Sequence, residues 1–275
     1  MSFDPKTDRY PYTEYTDQHY ITRGNYTKEL FDKDYPYVDN SRGFRIKQFW
    51  IRILLNVIVF PVARIRLGLR IKGRENLKKY KDVLENGLLT CANHIHFWDY
   101  ICIMRALRPI HPYVITWAPN ITGRSGKPIR LVGGIPIPET GLPATAAFLR
   151  TVKTTLDNKG CIHIYAEGSM WEYYYPIRPF KRGIGYFACM ADKPVLPMAF
   201  SYRKPNLIRR KIFRQIALLT LTIGEPVIPD KALAKKEREE KVVTQCHRAV
   251  CILAGIDPDE NIYPPIYDNT RRIDY

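Results

Sequence analysis

The chain has 275 residues, 45% hydrophobic and 25% charged, which suits a globular protein with a sizeable core and excludes a disordered or fibrous one. With 43 Lys and Arg against 27 Asp and Glu, the formal charge is +16, pointing to an anionic partner: nucleic acid, an anionic membrane face, or an acidic carrier or substrate. The six cysteines form no Cys-x-x-Cys pair and sit mostly in apolar runs, so buried thiols in a reducing cytosol are expected rather than zinc ligands or disulfides.

The first stretch, MSFDPKTDRYPYTEY, is polar and acidic, unlike a secretory signal or transit peptide. Residues 1–43 carry a net charge of −2, which leaves +18 on the rest. They hold seven of the 19 tyrosines and lack helical periodicity. An irregular extension is expected there, packing on the body through its tyrosines.

Residues 44–62, FRIKQFWIRILLNVIVFPV, combine basic and apolar character, and positions 42–74 hold nine Lys/Arg and no acid. The apolar part, 49–63, is interrupted by Arg52 and Asn56 and falls short of the roughly 20 residues a spanning helix needs. An N-terminal helix lying in the membrane interface is expected, with Trp50 at headgroup level and Arg45 and Arg52 on phosphates. A core helix with basic flanks, or a true span, are the alternatives. Residues 63–72 then alternate apolar and basic, the period of a half-exposed strand.

Short apolar runs at 88–92, 113–117, 131–138, 161–166, 195–201 and 216–223 read as strands. Stretches at 97–107, 145–156 and 183–190 read as helices between them, and 232–253 closes the chain as a charged amphipathic helix. This alternation implies an α/β fold with a largely parallel central sheet flanked by helices. The expected divisions are an extension (1–43), an interfacial helix (44–62), the main α/β domain (63–228) and a helix with tail (229–275).

Between the strand at 88–92 and the helix from 97 lies Asn93-His94-Ile95-His96, at a strand's carboxyl end, where open α/β sheets place their sites. Histidine is a suitable general base near neutral pH. Asp99, in the first turn of the helix, is placed to accept the proton on one ring nitrogen and leave the other free. His94 and Asp99 are therefore a base–orienter pair on this reading, with His96 as a competitor for the same carboxylate.

Asn-His-x-x-x-x-Asp at a strand end resembles the first motif of the PlsC-like glycerolipid acyltransferases, which include 1-acylglycerol-3-phosphate acyltransferases. Gly133-Gly134-Ile135-Pro136-Ile137 looks like their second motif, and Tyr165-Ala166-Glu167-Gly168-Ser169 like their third, usually Phe-Pro-Glu-Gly-Thr-Arg. Phe180-Lys181-Arg182-Gly183 and Pro194-Val195-Leu196-Pro197 match two further segments, and the resemblance covers roughly residues 70–228. It implies a glycerol-3-phosphate acyltransferase-like fold, with His94 as catalytic base and Asp99 as its partner. The acceptor hydroxyl would attack the thioester of acyl-CoA or acyl carrier protein directly; no Gly-x-Ser-x-Gly elbow offers an alternative nucleophile. Glu167, Gly168, Ser169, Arg130, Gly134, Lys181 and Arg182 are the expected substrate-binding residues. The carboxylate of Glu167 has a second reading, a structural cap for the next segment.

The family often has arginines for an acceptor phosphate after the second motif and at the end of the third; Thr140 and Met170 stand near those places. Arg130, Arg178, Lys181 or Arg182 are nearby replacements; otherwise the acceptor is another lysolipid, or a hydroxyl or amine without phosphate. A second basic cluster, 203–214, interleaves Arg209, Arg210 and Lys211 with Leu207, Ile208, Ile212 and Phe213 and suits a loop dipping into anionic lipid. The chemistry expected is acyl transfer to a lysophospholipid, peripheral on the cytoplasmic face of the membrane. The different-class alternative is a lipid-binding protein without turnover. No metal, cofactor or nucleic acid is expected.

Overall fold

The computed structural model describes residues 18–19, 31–122, 126–139 and 141–261. Thr140, most of the segment before residue 31 and the tail after 261 lie outside the described residues.

Helix α1 runs from Arg42 to Arg66, 25 residues, started by the Ser41 hydroxyl accepting from the Phe44 N–H. Pro61 lacks an N–H and ought to break the helix. The turn before it, Leu55–Val59, widens to a π turn instead and carries the helix past the ring. One expectation is corrected here. Residues 63–66 are helical rather than extended, because Phe60 and Ala63 repeat at helical spacing and are buried, with Phe60 packed beside Met104. By length and composition, α1 is also apolar enough to cross a membrane, although the apolar run alone is shorter than a span.

Among the described residues seven strands follow: β1 (Arg70–Lys72), β2 (Leu88–Cys91), β3 (Pro112–Thr116), β4 (Gly134–Pro136), β5 (Cys161–Ile164), β6 (Val195–Arg203) and β7 (Leu218–Ile223). They form one sheet in the order β1-β7-β6-β2-β5-β3-β4, parallel except for the β6–β7 pair. The expected strand at 131–138 is shorter because Gly126–Leu131 is helical. Helices α2 (Asp99–Leu107), α3 (Leu142–Asp157), α4 (Gly183–Ala191), α5 (Leu207–Lys211) and α6 (Lys235–Ala254) complete the frame.

Alternate residues along each buried strand point to opposite faces. Leu89, Ile162 and Val195 face α3, α4 and α6 through Phe148, Ile184 and Cys246. Leu88 and Leu196 face α2 through Cys102 and Ile103. Tyr37, buried, donates its hydroxyl to Phe31 O at 3.0 Å and packs edge-on against Phe148, seating residues 31–37 on the first of these layers. All six cysteines are buried free thiols.

One polar pair sits inside the sheet. Thr90 Oγ1 and His163 Nδ1 lie 2.8 Å apart on β2 and β5, both fully buried. Burial pushes the His163 imidazole down from 6.5 to about 3. Below pH 6.5 the unfolded chain takes up a proton there that the folded chain refuses, so stability falls as pH drops from 6.5 toward 3. The slope approaches about 1.4 kcal/mol per pH unit for this one group. Urea unfolding of wild type and Thr90→Val/His163→Leu at pH 7, 5.5 and 4.5 measures it. The variant is expected to lose stability more slowly by about that slope; parallel curves would show that His163 is not the group responsible.

Candidate active site

Strands β2 and β5 run parallel and in register from Leu88↔Cys161 to Cys91↔Ile164, so the segments leaving their carboxyl ends emerge side by side at the same sheet edge. One of these segments carries Asn93 and His94, the other Tyr165 and Glu167. The Asn93 amide pairs with Phe200 of β6 as a strand would: Oδ1 accepts from the Phe200 N–H (2.8 Å) and Nδ2 donates to its carbonyl (3.1 Å). This fixes where His94 leaves the sheet. The backbone N–H groups of Trp171 and Tyr173 donate to the carbonyls of His94 (3.0 Å) and Ile95 (2.8 Å), pinning the turn from the other side.

Asp99 opens α2 and is fully buried. Its Oδ2 accepts from the N–H groups of Ile95 (2.7 Å) and His96 (2.9 Å), and lies 3.1 Å from His94 Nδ1. A carboxylate acceptor places the imidazole proton on Nδ1, which leaves Nε2 with a free lone pair. Tyr165 stacks on the His94 ring at 3.8 Å, and the side chain keeps 23% exposure. Burial, reinforced by the positive charge of Arg178, pushes the His94 imidazole well down, so it is unprotonated at neutral pH, the form a base requires. Burial raises Asp99, with the N–H groups of His96 and Ile95 opposing.

His96 is bound differently. Its Nδ1 accepts from the Trp98 N–H at 3.0 Å, and its Nε2 lies 3.7 Å from Glu172. Asp99 meets His96 only through the backbone. The turn thus separates one histidine on a carboxylate from one that braces the start of α2.

Glu167 and Ser169, expected to bind substrate, are 1% and 2% exposed and lie beneath the turn. Glu167 Oε2 accepts from the His94 N–H (2.9 Å) and from Arg178 Nη2 (2.8 Å); Oε1 accepts from the Arg178 N–H (2.9 Å). Ser169 Oγ accepts from Arg178 Nη1 at 2.7 Å, and its carbonyl accepts from Nη2. The Arg178 guanidinium also lies over Trp171. The capping reading of Glu167 is the one its geometry fits: a buried ion pair carries the turn that holds His94. Gly168, exposed at φ +87°, supplies the left-handed turn between these two residues.

Other expected substrate residues lie apart. Arg130 donates to Gly134 O at 3.0 Å and to the carbonyls of Pro36 and Tyr37, with Tyr35 against its guanidinium, so it staples residues 35–37 to β4. A Cβ on Gly134 would lie 2.8 Å from Ile129 and 2.9 Å from Ile121, a packing reason for glycine. Arg182 reaches Glu239 of α6 at 3.7 Å; Lys181 is exposed and donates its N–H to Ala166 O. Of the expected membrane residues, Arg45, Trp50 and Arg210 are exposed, while Arg52 and Arg209 are half-buried.

In the sequence Arg178 stands out only as a nearby basic group, and Asn93 and Tyr165 only as members of motif blocks, with no sign of what either side chain touches. Their partners are remote in sequence, 11, 107 and 71 residues away. Among the described residues, no group of three or more His, Cys, Asp or Glu is placed to hold a metal.

Residues 68–201 match the family model described as Acyltransferase. Among solved structures, the chain is similar to the 1-acyl-sn-glycerophosphate (LPA) acyltransferase PlsC from Thermotoga maritima, at 19% identity and a TM-score of 0.51. That similarity covers 79% of this chain and 85% of the other and is a likeness of fold. No curated protein matches the chain. The family match spans the whole turn from Asn93 to Asp99 and both ends of the Glu167–Arg178 pair: residues 68–201 carry an acyltransferase-family domain, and the fold around it is like that of PlsC.

Proposed function

We propose that the chain transfers a fatty acyl group from acyl-CoA or acyl carrier protein to the hydroxyl of a lysophospholipid, with His94 as general base. The observation that carries this reading is the 3.1 Å contact between His94 Nδ1 and Asp99 Oδ2 at the carboxyl end of the central strands. His94 Nε2 takes the proton of the acceptor hydroxyl as its oxygen attacks the thioester carbonyl. The tetrahedral intermediate collapses, breaking the C–S bond; the thiolate leaves and the imidazolium returns the proton to it. Both donors carry phosphate on phosphopantetheine, which the charge of +16 favours.

The test offers labelled acyl-CoA and acyl carrier protein to purified protein in micelles, against lysophosphatidic acid, other lysolipids, monoacylglycerol and a long-chain amine. Turnover of a lysophospholipid is the expected outcome. Thioester cleavage without any acylated product would contradict the reading.

Membrane association belongs to the same proposal, on the cytoplasmic face and without nucleic acid as a partner. One side of α1 docks on α2 through Leu55, Phe60 and Met104, while Phe49, Trp50, Val57 and Ile65 are 58–67% exposed on the other. Leu207, Ile208, Ile212 and Phe213 add an exposed apolar group of 60–70% beside Arg209 and Arg210. A helix held along the domain, with aromatic and basic residues outward, suits an interfacial position. Phe49→Glu/Trp50→Glu is expected to lower the partition constant on anionic vesicles by at least about 10-fold, since two large apolar side chains leave lipid. Unchanged co-sedimentation would remove α1 from the membrane contact.

A further inference from the structure

A groove of 1180 Å³ opens between the end of α1, the catalytic turn and the segment 206–217. Val62 and Ile65 of α1 and Ile208 and Phe213 of the segment 206–217 contribute its apolar lining. His96, Phe97 and Trp98, which lie between His94 and Asp99 in the chain, also line it. A groove of this size accommodates a single hydrocarbon chain with a small head.

Its charge is one-sided. Arg66, Arg209 and Arg214 line it, and Glu172 is the one acid among the lining residues, 3.7 Å from His96. Arg209 is already engaged, donating from Nη1 to Ile65 O (3.0 Å) and Gln215 Oε1 (3.2 Å), which ties α5 to α1. Arg66 is exposed, its guanidinium over the Trp98 ring at 5.3 Å. Its positive charge acts on both His96 and Tyr173. Arg214, also exposed, holds φ +48°, a left-handed conformation that non-glycine residues rarely adopt. Neither Arg66 nor Arg214 forms an ion pair with a carboxylate among the described residues.

We propose that Arg66 and Arg214 bind the anionic headgroup phosphate of the acceptor, whose chain lies between Ile65 and Phe213. The inference rests on the acyl-transfer reading and narrows it to a phosphate-bearing lysolipid. It also accounts for Met170 where a motif arginine is expected: two guanidiniums from α1 and from the β6–β7 connection supply the forked donors that a phosphate monoester takes.

The experiment measures KM and kcat for lysophosphatidic acid and for monoacylglycerol of the same chain, in non-ionic micelles, where lysophosphatidic acid brings the only lipid phosphate. Wild type is compared with Arg66→Gln/Arg214→Gln; both residues are exposed, and circular dichroism checks the fold. The expected result is a KM for lysophosphatidic acid raised about 10- to 100-fold, with kcat and both constants for monoacylglycerol little changed. Equal effects on the two acceptors, or none, overturn the proposal. Calorimetric titration with lysophosphatidic acid provides a readout that does not need turnover. Weaker binding by the variant supports the inference even if no acceptor is acylated, an outcome that would sink the reaction alone. Loss of binding to anionic vesicles with no change in KM or in titrated affinity assigns the arginines to membrane headgroups and overturns it.

Discussion

Replacing His94 with alanine is expected to lower kcat for acyl transfer by about 10²–10⁴, the usual contribution of a positioned general base. On the proposed mechanism the substitution removes the group that takes the acceptor proton, Nε2, the ring nitrogen opposite the Asp99 contact. The backbone of the turn keeps its anchors: the residue 94 N–H still donates to Glu167, its carbonyl still accepts from Trp171, and Asp99 still accepts from the N–H groups at 95 and 96. The fold is therefore expected to survive, with urea unfolding showing a loss within about 1–3 kcal/mol, the cost of one buried hydrogen-bond partner. A variant that unfolds would make the residue structural, and one with unchanged kcat would make it a bystander.

The second large effect is expected at Glu167, and it is one of stability. Glu167→Ala leaves the Arg178 guanidinium buried without its carboxylate and removes the acceptor for the His94 N–H. Breaking a buried pair from one side costs about 3–5 kcal/mol. Glu167→Ala/Arg178→Met removes the stranded charge as well and is expected to regain a good part of that loss. Activity is expected to fall in both, because the turn that carries His94 has lost its support from below. Urea denaturation of the wild type and the two variants checks the first claim. A single variant within about 1 kcal/mol of wild type would mean that water or a shifted side chain replaces Glu167.

The sheet and the position of the His94 turn were legible in the sequence, because buried parallel strands read as continuous apolar runs and Asp99 is near His94 in the chain. The resemblance of the motif blocks added the reaction class. Three things were not legible. Helix α1 passes Pro61 because a widened turn forms ahead of it, and local propensity rules carry no signal for that. Asn93 imitates a strand by pairing with Phe200, a contact made only when β6 arrives beside β2. Arg178 lies in an irregular segment between β5 and α4, and nothing in its neighbours marks it for burial under the turn. The same geometry explains why Glu167 reads as a substrate residue in the sequence: its motif places it at the right sheet edge, but its side chain points under His94.

The question of which histidine acts is answered most directly by one comparison. Initial rates of acyl transfer from labelled acyl-CoA to lysophosphatidic acid would be measured for wild type, His94→Ala and His96→Ala, at equal protein and in the same micelles. Turnover lost in His94→Ala and kept in His96→Ala is the predicted result, since His94 alone of the two has its ring on the Asp99 carboxylate. An active His94→Ala beside an inactive His96→Ala would contradict the account.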